Sequence, residues 1–132
     1  IPIIGICRGA QLMCAISGGT VIQHVNGHLG QHLITTKDGK TIPTNSLHHQ
    51  MMNPFTVDHK MIAWSQKRLS KMYIGDGGAH IKAAYKDGFR EPEIIWFPHT
   101  KSLCIQGHPE FSDAKLPFIK YILNLTKQYV LA

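Results

Sequence analysis

The chain has 132 residues, of which 43% are hydrophobic and 17% charged, the size and make-up of one globular domain rather than a disordered chain. Its apolar runs fall far short of the roughly 20 residues that cross a bilayer, and no basic region precedes its apolar start as in a signal peptide. The net charge is +6, but Lys and Arg are scattered, with one mild cluster at Lys67, Arg68 and Lys71; this reads as a solvated surface, so neither a nucleic acid nor a membrane is expected as a partner. Three cysteines, an odd number without framework spacing, point to free thiols in a reducing compartment and so to a cytoplasmic location.

Residues 1–6 are apolar throughout, the pattern of a parallel strand buried on both faces. Residues 8–17 then read as a helix with Leu12, Met13 and Ile16 on its apolar stripe, ended by Gly18-Gly19. TVIQHV (20–25) reads as a strand, HLITT (32–36) alternates as a strand does, and KDGK (37–40) is a turn. TNSLHHQMMNP (44–54) is polar, histidine-rich and loop-like. MIAWSQ (61–66) and HIKAAYK (80–86) are strand candidates, with GDGG (75–78) a turn between them. EIIWF (93–97) and SLCIQGH (102–108) form a predicted hairpin. Residues 114–130 read as an amphipathic helix through Leu116, Ile119, Ile122, Leu123 and Leu125. A buried first strand needs neighbours on both sides, and the downstream chain offers mostly hairpins. The pattern therefore predicts that 1–132 is the C-terminal part of a larger domain whose N-terminal βα units precede residue 1.

The chemistry concentrates at GICRG, residues 5–9. A strand stops at Cys7, a helix starts at Arg8, and glycines stand two residues to either side, which is the pattern of a nucleophile elbow with cysteine in place of serine. A side chain at the flanking positions is expected to collide with strand or helix. The helix start aims backbone N–H groups at the thiol, favouring the thiolate and offering an oxyanion site. A buried structural cysteine would also fit the pentapeptide alone. QGHPE (106–110) supplies the missing parts: His108 as base and Glu110, two residues on across Pro109, to orient the imidazole.

GICRGAQ followed by GGTVIQH, NSLHHQ and QGHPE resembles the class I glutamine amidotransferase domain along essentially the whole chain. Arg8 directly after the cysteine and the NSLHHQ segment resemble the γ-glutamyl-γ-aminobutyrate hydrolase-like branch in particular. The resemblance implies an α/β, flavodoxin-like open sheet with helices on both faces. It implies a Cys7–His108–Glu110 triad, the Arg8 N–H as one oxyanion donor, and substrate contacts from Gln11, Ser46, His48 and His49. The family's second oxyanion donor lies on a glycine-rich loop before the elbow, outside this sequence, so the site is expected to be incomplete within 1–132. The implied reaction is hydrolysis of glutamine or a γ-glutamyl amide through a thioester on Cys7, without a cofactor. Ammonia is then either released or passed to a partner synthase, as a separate protein or a fused domain. A non-catalytic γ-glutamyl-binding module is the alternative from another class.

Nine histidines invite a metal reading, and His24, His28 and His32 are four apart. Gly27 and Gly30 interrupt that segment and TVIQHV is strand-like, so no metal is expected. Cys14 and Cys104 read as small buried hydrophobes, and Trp64 and Trp96 as packing residues.

Overall fold

The computed structural model describes residues 1–27, 29–48, 50–107 and 117–131, with the side chains of Leu29, Ser46, Leu47 and Asp76 left aside. Strand β1 (Ile3–Ile6) leads into helix α1 (Arg8–Ile16), followed by β2 (Thr20–Ile22), β3 (Leu29–Thr36), β4 (Thr41–Leu47), β5 (Met51–Asn53) and β6 (Lys60–Ser65). After two short 3₁₀ turns come β7 (Pro92–Phe97), β8 (Ser102–Ile105) and α2 (Pro117–Leu125), which runs on into a π-helical turn at Thr126–Val130.

Among the described residues, six strands form one sheet in the order β1-β8-β7-β6-β3-β4, and β2 pairs with β5 apart from it. β1 and β8 run parallel, whereas the other neighbours in the sheet are antiparallel. Alternation along β7 and β8 explains how the sheet is covered. Ile94, Leu103 and Ile105 point into a core with Phe118, Tyr121, Ile122 and Leu125 of α2. Ile95, Phe97 and Cys104 point the other way, into a core with Ala10, Met13 and Cys14 of α1. One helix therefore lies on each face, the α/β arrangement expected from the sequence.

The sheet also curls. Gly107 directly follows β8, the second strand in the order, yet a Cβ there would lie 2.5 Å from Thr44 Oγ1 and 3.1 Å from the Asn45 carbonyl on β4, the sixth. Four strand spacings of about 4.8 Å would separate these strands in a flat sheet, so accumulated twist brings the far edge back over the end of β8.

Within residues 1–132, β1 has one neighbour among the described residues, β8, and Ile3 and Ile4 are exposed. Several expectations need correction. On α1 the buried face is Ala10, Gln11, Met13 and Cys14, while Leu12 and Ile16 are each 59% exposed. The small residues Ala10 and Cys14 let the helix sit close to the sheet, and this fixes its rotation. In α2 the buried residues are Phe118, Tyr121, Ile122 and Leu125, with Leu123 facing out; Leu116 lies outside the described residues. HIKAAYK is not a strand: Lys82–Tyr85 form a 3₁₀ turn that buries Ala84. TNSLHHQMMNP contains the end of β4 and all of β5, and Met51 and Met52 are fully buried.

Candidate active site at the elbow

The parallel pairing of β1 with β8 sets the site. In register, Gly5 lies opposite Cys104 and Ile6 opposite Ile105, and the ladder continues with the Cys7 N–H donating to the Ile105 carbonyl at 2.7 Å. Parallel strands end on the same side of a sheet. The pairing therefore brings Cys7 beside Gln106-Gly107, the start of QGHPE, although the two lie about a hundred residues apart in sequence.

Cys7 has φ 52° and ψ −106°, a backbone conformation that L residues rarely adopt. Strain of this kind costs on the order of 1–3 kcal/mol and persists only where the surroundings enforce it. Here the strand ladder holds one side, and the Gln11 N–H bonded to the Cys7 carbonyl at 3.1 Å holds the other. Gly5 is indispensable to the packing, because a Cβ on it would lie 2.7 Å from the Gly9 carbonyl oxygen. Gly9 differs from expectation: a Cβ there meets no described atom within 4 Å. Its backbone, not its lack of a side chain, is what Gly5 accommodates.

Helix α1 begins with no side-chain cap and no acidic residue in its first turn. Its leading N–H groups, Arg8's included, stay available for an anion. Cys7 is partly exposed, whereas Cys14 and Cys104 are buried. Burial pushes the Cys14 thiol up to about 11 and the Cys104 thiol up to about 12, which keeps both protonated near neutrality.

Around α1 the chain gathers amides. The buried Gln11 donates from Nε2 to the Gln50 carbonyl at 3.0 Å, and His48 Nδ1 lies 2.6 Å from that same oxygen. Gln50 Nε2 donates to Gln23 Oε1 at 2.8 Å. Arg8, Gln11, Leu12, Ala15, Val21, Gln23 and Gln50 line a groove of about 340 Å³ beside the elbow. Gln11 and His48 therefore share one network next to Cys7. The Ser46 backbone lies in β4, one residue beyond the Asn45 that borders Gly107; nothing is assigned to its side chain. His49, His108 and Glu110 lie outside the described residues.

Three groups escaped the sequence reading. Gln106 is fully buried, and its Nε2 lies 3.9 Å from Cys7 Sγ as donor. Glu93, opposite Gln106 on β7, accepts from Ser65 Oγ at 3.0 Å and lies 3.3 Å from His32 Nε2. A carboxylate opening the apolar run EIIWF was the available signal, since a charge in a strand destined for both cores must be held by partners. Glu91 is likewise buried and takes hydrogen bonds from the Leu69 N–H, the Ser70 N–H and Tyr73 Oη. Among the described residues, no group of three or more His, Cys, Asp or Glu could hold a metal ion. His32, one of the three evenly spaced histidines, faces Glu93 and Ser65.

Comparison with known proteins bears on this geometry. The carbamoyl phosphate synthase small chain of Buchnera aphidicola subsp. Baizongia pistaciae (strain Bp) is 28% identical over 134 aligned residues, covering 98% of this chain and 29% of that protein. Two solved structures share the fold. A putative GMP synthase subunit from Thermoplasma acidophilum superposes with a TM-score of 0.62 at 15% identity, over 97% of this chain and 58% of that one. A glutamine amidotransferase from Thermotoga maritima gives 0.58 at 17% identity, over 97% of this chain and 47% of that one. The chain thus spans roughly half the length of these two structures and less than a third of the curated relative. The family model for class-I glutamine amidotransferases matches residues 1–116, elbow through QGHPE, and the chain belongs to that family.

Proposed function

We propose that this domain hydrolyses the γ-amide of glutamine or a γ-glutamyl amide, with Cys7 as nucleophile. The observation that carries the reading is the strained Cys7 at the strand-to-helix turn, with uncapped α1 N–H groups behind it. The thiolate attacks the γ-carbonyl, and the resulting oxyanion is met by the Arg8 N–H. His108 protonates the departing nitrogen, oriented by Glu110. Water deprotonated by His108 then cleaves the thioester and releases glutamate. Gln11, beside the 340 Å³ groove, is suited to hold the glutamyl part, with His48 fixing the Gln50 carbonyl that Gln11 grips. Ser46 and His49 complete the proposed substrate contacts.

The fate of the nitrogen divides two versions. Transfer of ammonia to a synthase partner is supported by two similar proteins, which are by name parts of synthases. Release of an amine, as in the γ-glutamyl-γ-aminobutyrate hydrolase-like branch, is supported by Arg8 and by NSLHHQ. Glutamate release from glutamine and from γ-glutamyl amines, measured in the complete protein with and without Cys7→Ala and without any partner protein, tests both. Unchanged turnover in Cys7→Ala would sink the mechanism, and efficient cleavage of γ-glutamyl amines alone would favour the hydrolase version. A non-catalytic binding module would bind glutamine without releasing glutamate.

A further inference from the structure

We propose that Gln106 is a positioning residue for the reaction: its side-chain amide donates to Cys7 Sγ and holds the sulfur as a thiolate aimed out of the elbow. The inference rests on the reading of Cys7 as nucleophile. It starts from an anomaly. β8 is apolar at Leu103, Cys104 and Ile105, and all three are fully buried. The next residue continues into the same interior but carries an amide, also fully buried. An unpaired amide in such a place costs free energy that a methionine or leucine of similar size would avoid. The Gln106 side chain does not offset this by closing a structural network, because its Oε1 has no hydrogen-bond partner among the described residues. Its Nε2 is directed at Cys7 Sγ, 3.9 Å away.

The surroundings fix that direction. The Gln106 N–H donates to the Glu93 carbonyl at 2.8 Å, so its backbone is tied to β7. Strand alternation places its side chain on the same face as Cys104, toward α1 and the elbow. Across the strand pair stands Glu93, whose Oε2 is already engaged by Ser65 and His32. Cys7, Gln106, Glu93, Ser65 and His32 thus form a polar row across one end of the sheet. Within it, Gln106 is the member that reaches the sulfur. A thiol is a weak acceptor and a thiolate a good one, so a donor held at this position favours the ionised form. A neutral donor does so without adding a charge that would compete with an imidazolium for the sulfur.

The test measures iodoacetamide alkylation of Cys7 in the full chain from pH 5 to 9, resolved by peptide mapping, for the wild type, Gln106→Leu and Gln106→Glu. Thermal unfolding and steady-state glutamate release accompany it. Gln106→Leu is expected to slow Cys7 alkylation about tenfold at pH values below its titration midpoint and to move that midpoint upward, the loss of one charge-assisted hydrogen bond. Gln106→Glu should move it further, because a carboxylate repels the thiolate. In both, kcat should fall with KM little changed. Gln106→Met, of the same length without the amide, replaces the leucine variant should that one not fold. A Cys7 pH profile that superimposes on the wild type in a folded variant overturns the proposal. If wild-type Cys7 reacts no faster than Cys14 and Cys104, the nucleophile reading itself fails, a result visible before any Gln106 variant is made.

Discussion

Two buried polar clusters in this molecule differ in what they leave over. Around Glu91 every donor meets its acceptor: the carboxylate takes the Leu69 and Ser70 N–H groups at 2.8 and 3.0 Å and Tyr73 Oη at 2.8 Å. Ser70 Oγ in turn binds Asn26 Oδ1 and the Met72 carbonyl, so the cluster pins the 69–73 segment to the start of β7. The Tyr73 hydroxyl is pushed well above its usual range by burial and by the neighbouring carboxylate, which keeps it protonated as a donor. At the elbow, the strained Cys7, α1 N–H groups without a side-chain cap and the buried Gln106 amide stand together beside a groove. The first cluster stabilises the fold, whereas donors held at the second are suited to charge that arises only during a reaction.

That contrast can be broken at either end. The largest effect is expected for Cys7→Ala, which should lower glutamate release by at least about 10³-fold while leaving thermal stability unchanged or slightly raised, since the backbone strain tolerates alanine no worse than cysteine. Glu91→Ala should do the reverse. It removes the acceptor of the Leu69 and Ser70 N–H groups and leaves Tyr73 Oη only the longer bond to the Ser70 carbonyl, and should cost about 3 kcal/mol in urea unfolding, with the alkylation rate of Cys7 in the folded fraction unchanged.

The glycines offer a finer comparison. Gly5→Ala drives a Cβ into the Gly9 carbonyl and should cost about 1–3 kcal/mol, slowing Cys7 alkylation as α1 shifts off the strand. Gly9→Ala meets open space inside a helix and should be neutral or stabilising by up to about 1 kcal/mol in the same unfolding assay.

Thiol selectivity follows from burial. Raised values of about 11 and about 12 mean that Cys14 and Cys104 are protonated over the whole neutral range and gain thiolate only as pH climbs toward those values. At pH 8 about one in a thousand and one in ten thousand are ionised, so mass mapping should find Cys7 labelled first and the other two only after unfolding. The smallest effect is expected at Ile16→Glu. That side chain is 59% exposed, and chemical denaturation should show a change within about 0.5 kcal/mol, where a residue on the buried stripe would cost several times more.

What could be read from the sequence was local. The β1–α1 junction, the β7–β8 hairpin, the turn at Gly39 with φ 86° and the end of α1 at Gly18 with φ 100° all follow from short-range chemistry that few residues can meet. The family was legible because its motifs recur in order over nearly the whole chain. What the pattern misplaced depends on distant partners. The rotation of α1 is decided by how closely Ala10 and Cys14 approach the sheet, not by which residues are most apolar. NSLHHQ looked like a loop because its backbone meets groups remote in sequence: the Gln50 carbonyl accepts from Gln11 Nε2, and the Asn45 carbonyl borders Gly107. Gln106 and Glu93 were passed over for the same reason: each stands in an apolar run, and its meaning emerges only when β1, β7 and β8 lie side by side.

The central claim is that Cys7 carries the acyl group during turnover. Acid quenching in the steady state with glutamine, followed by peptide mapping, reads this directly. The account predicts a γ-glutamyl adduct on the peptide containing Cys7, absent in Cys7→Ala. Turnover that proceeds with no adduct on Cys7, or with the adduct on another residue, would contradict it.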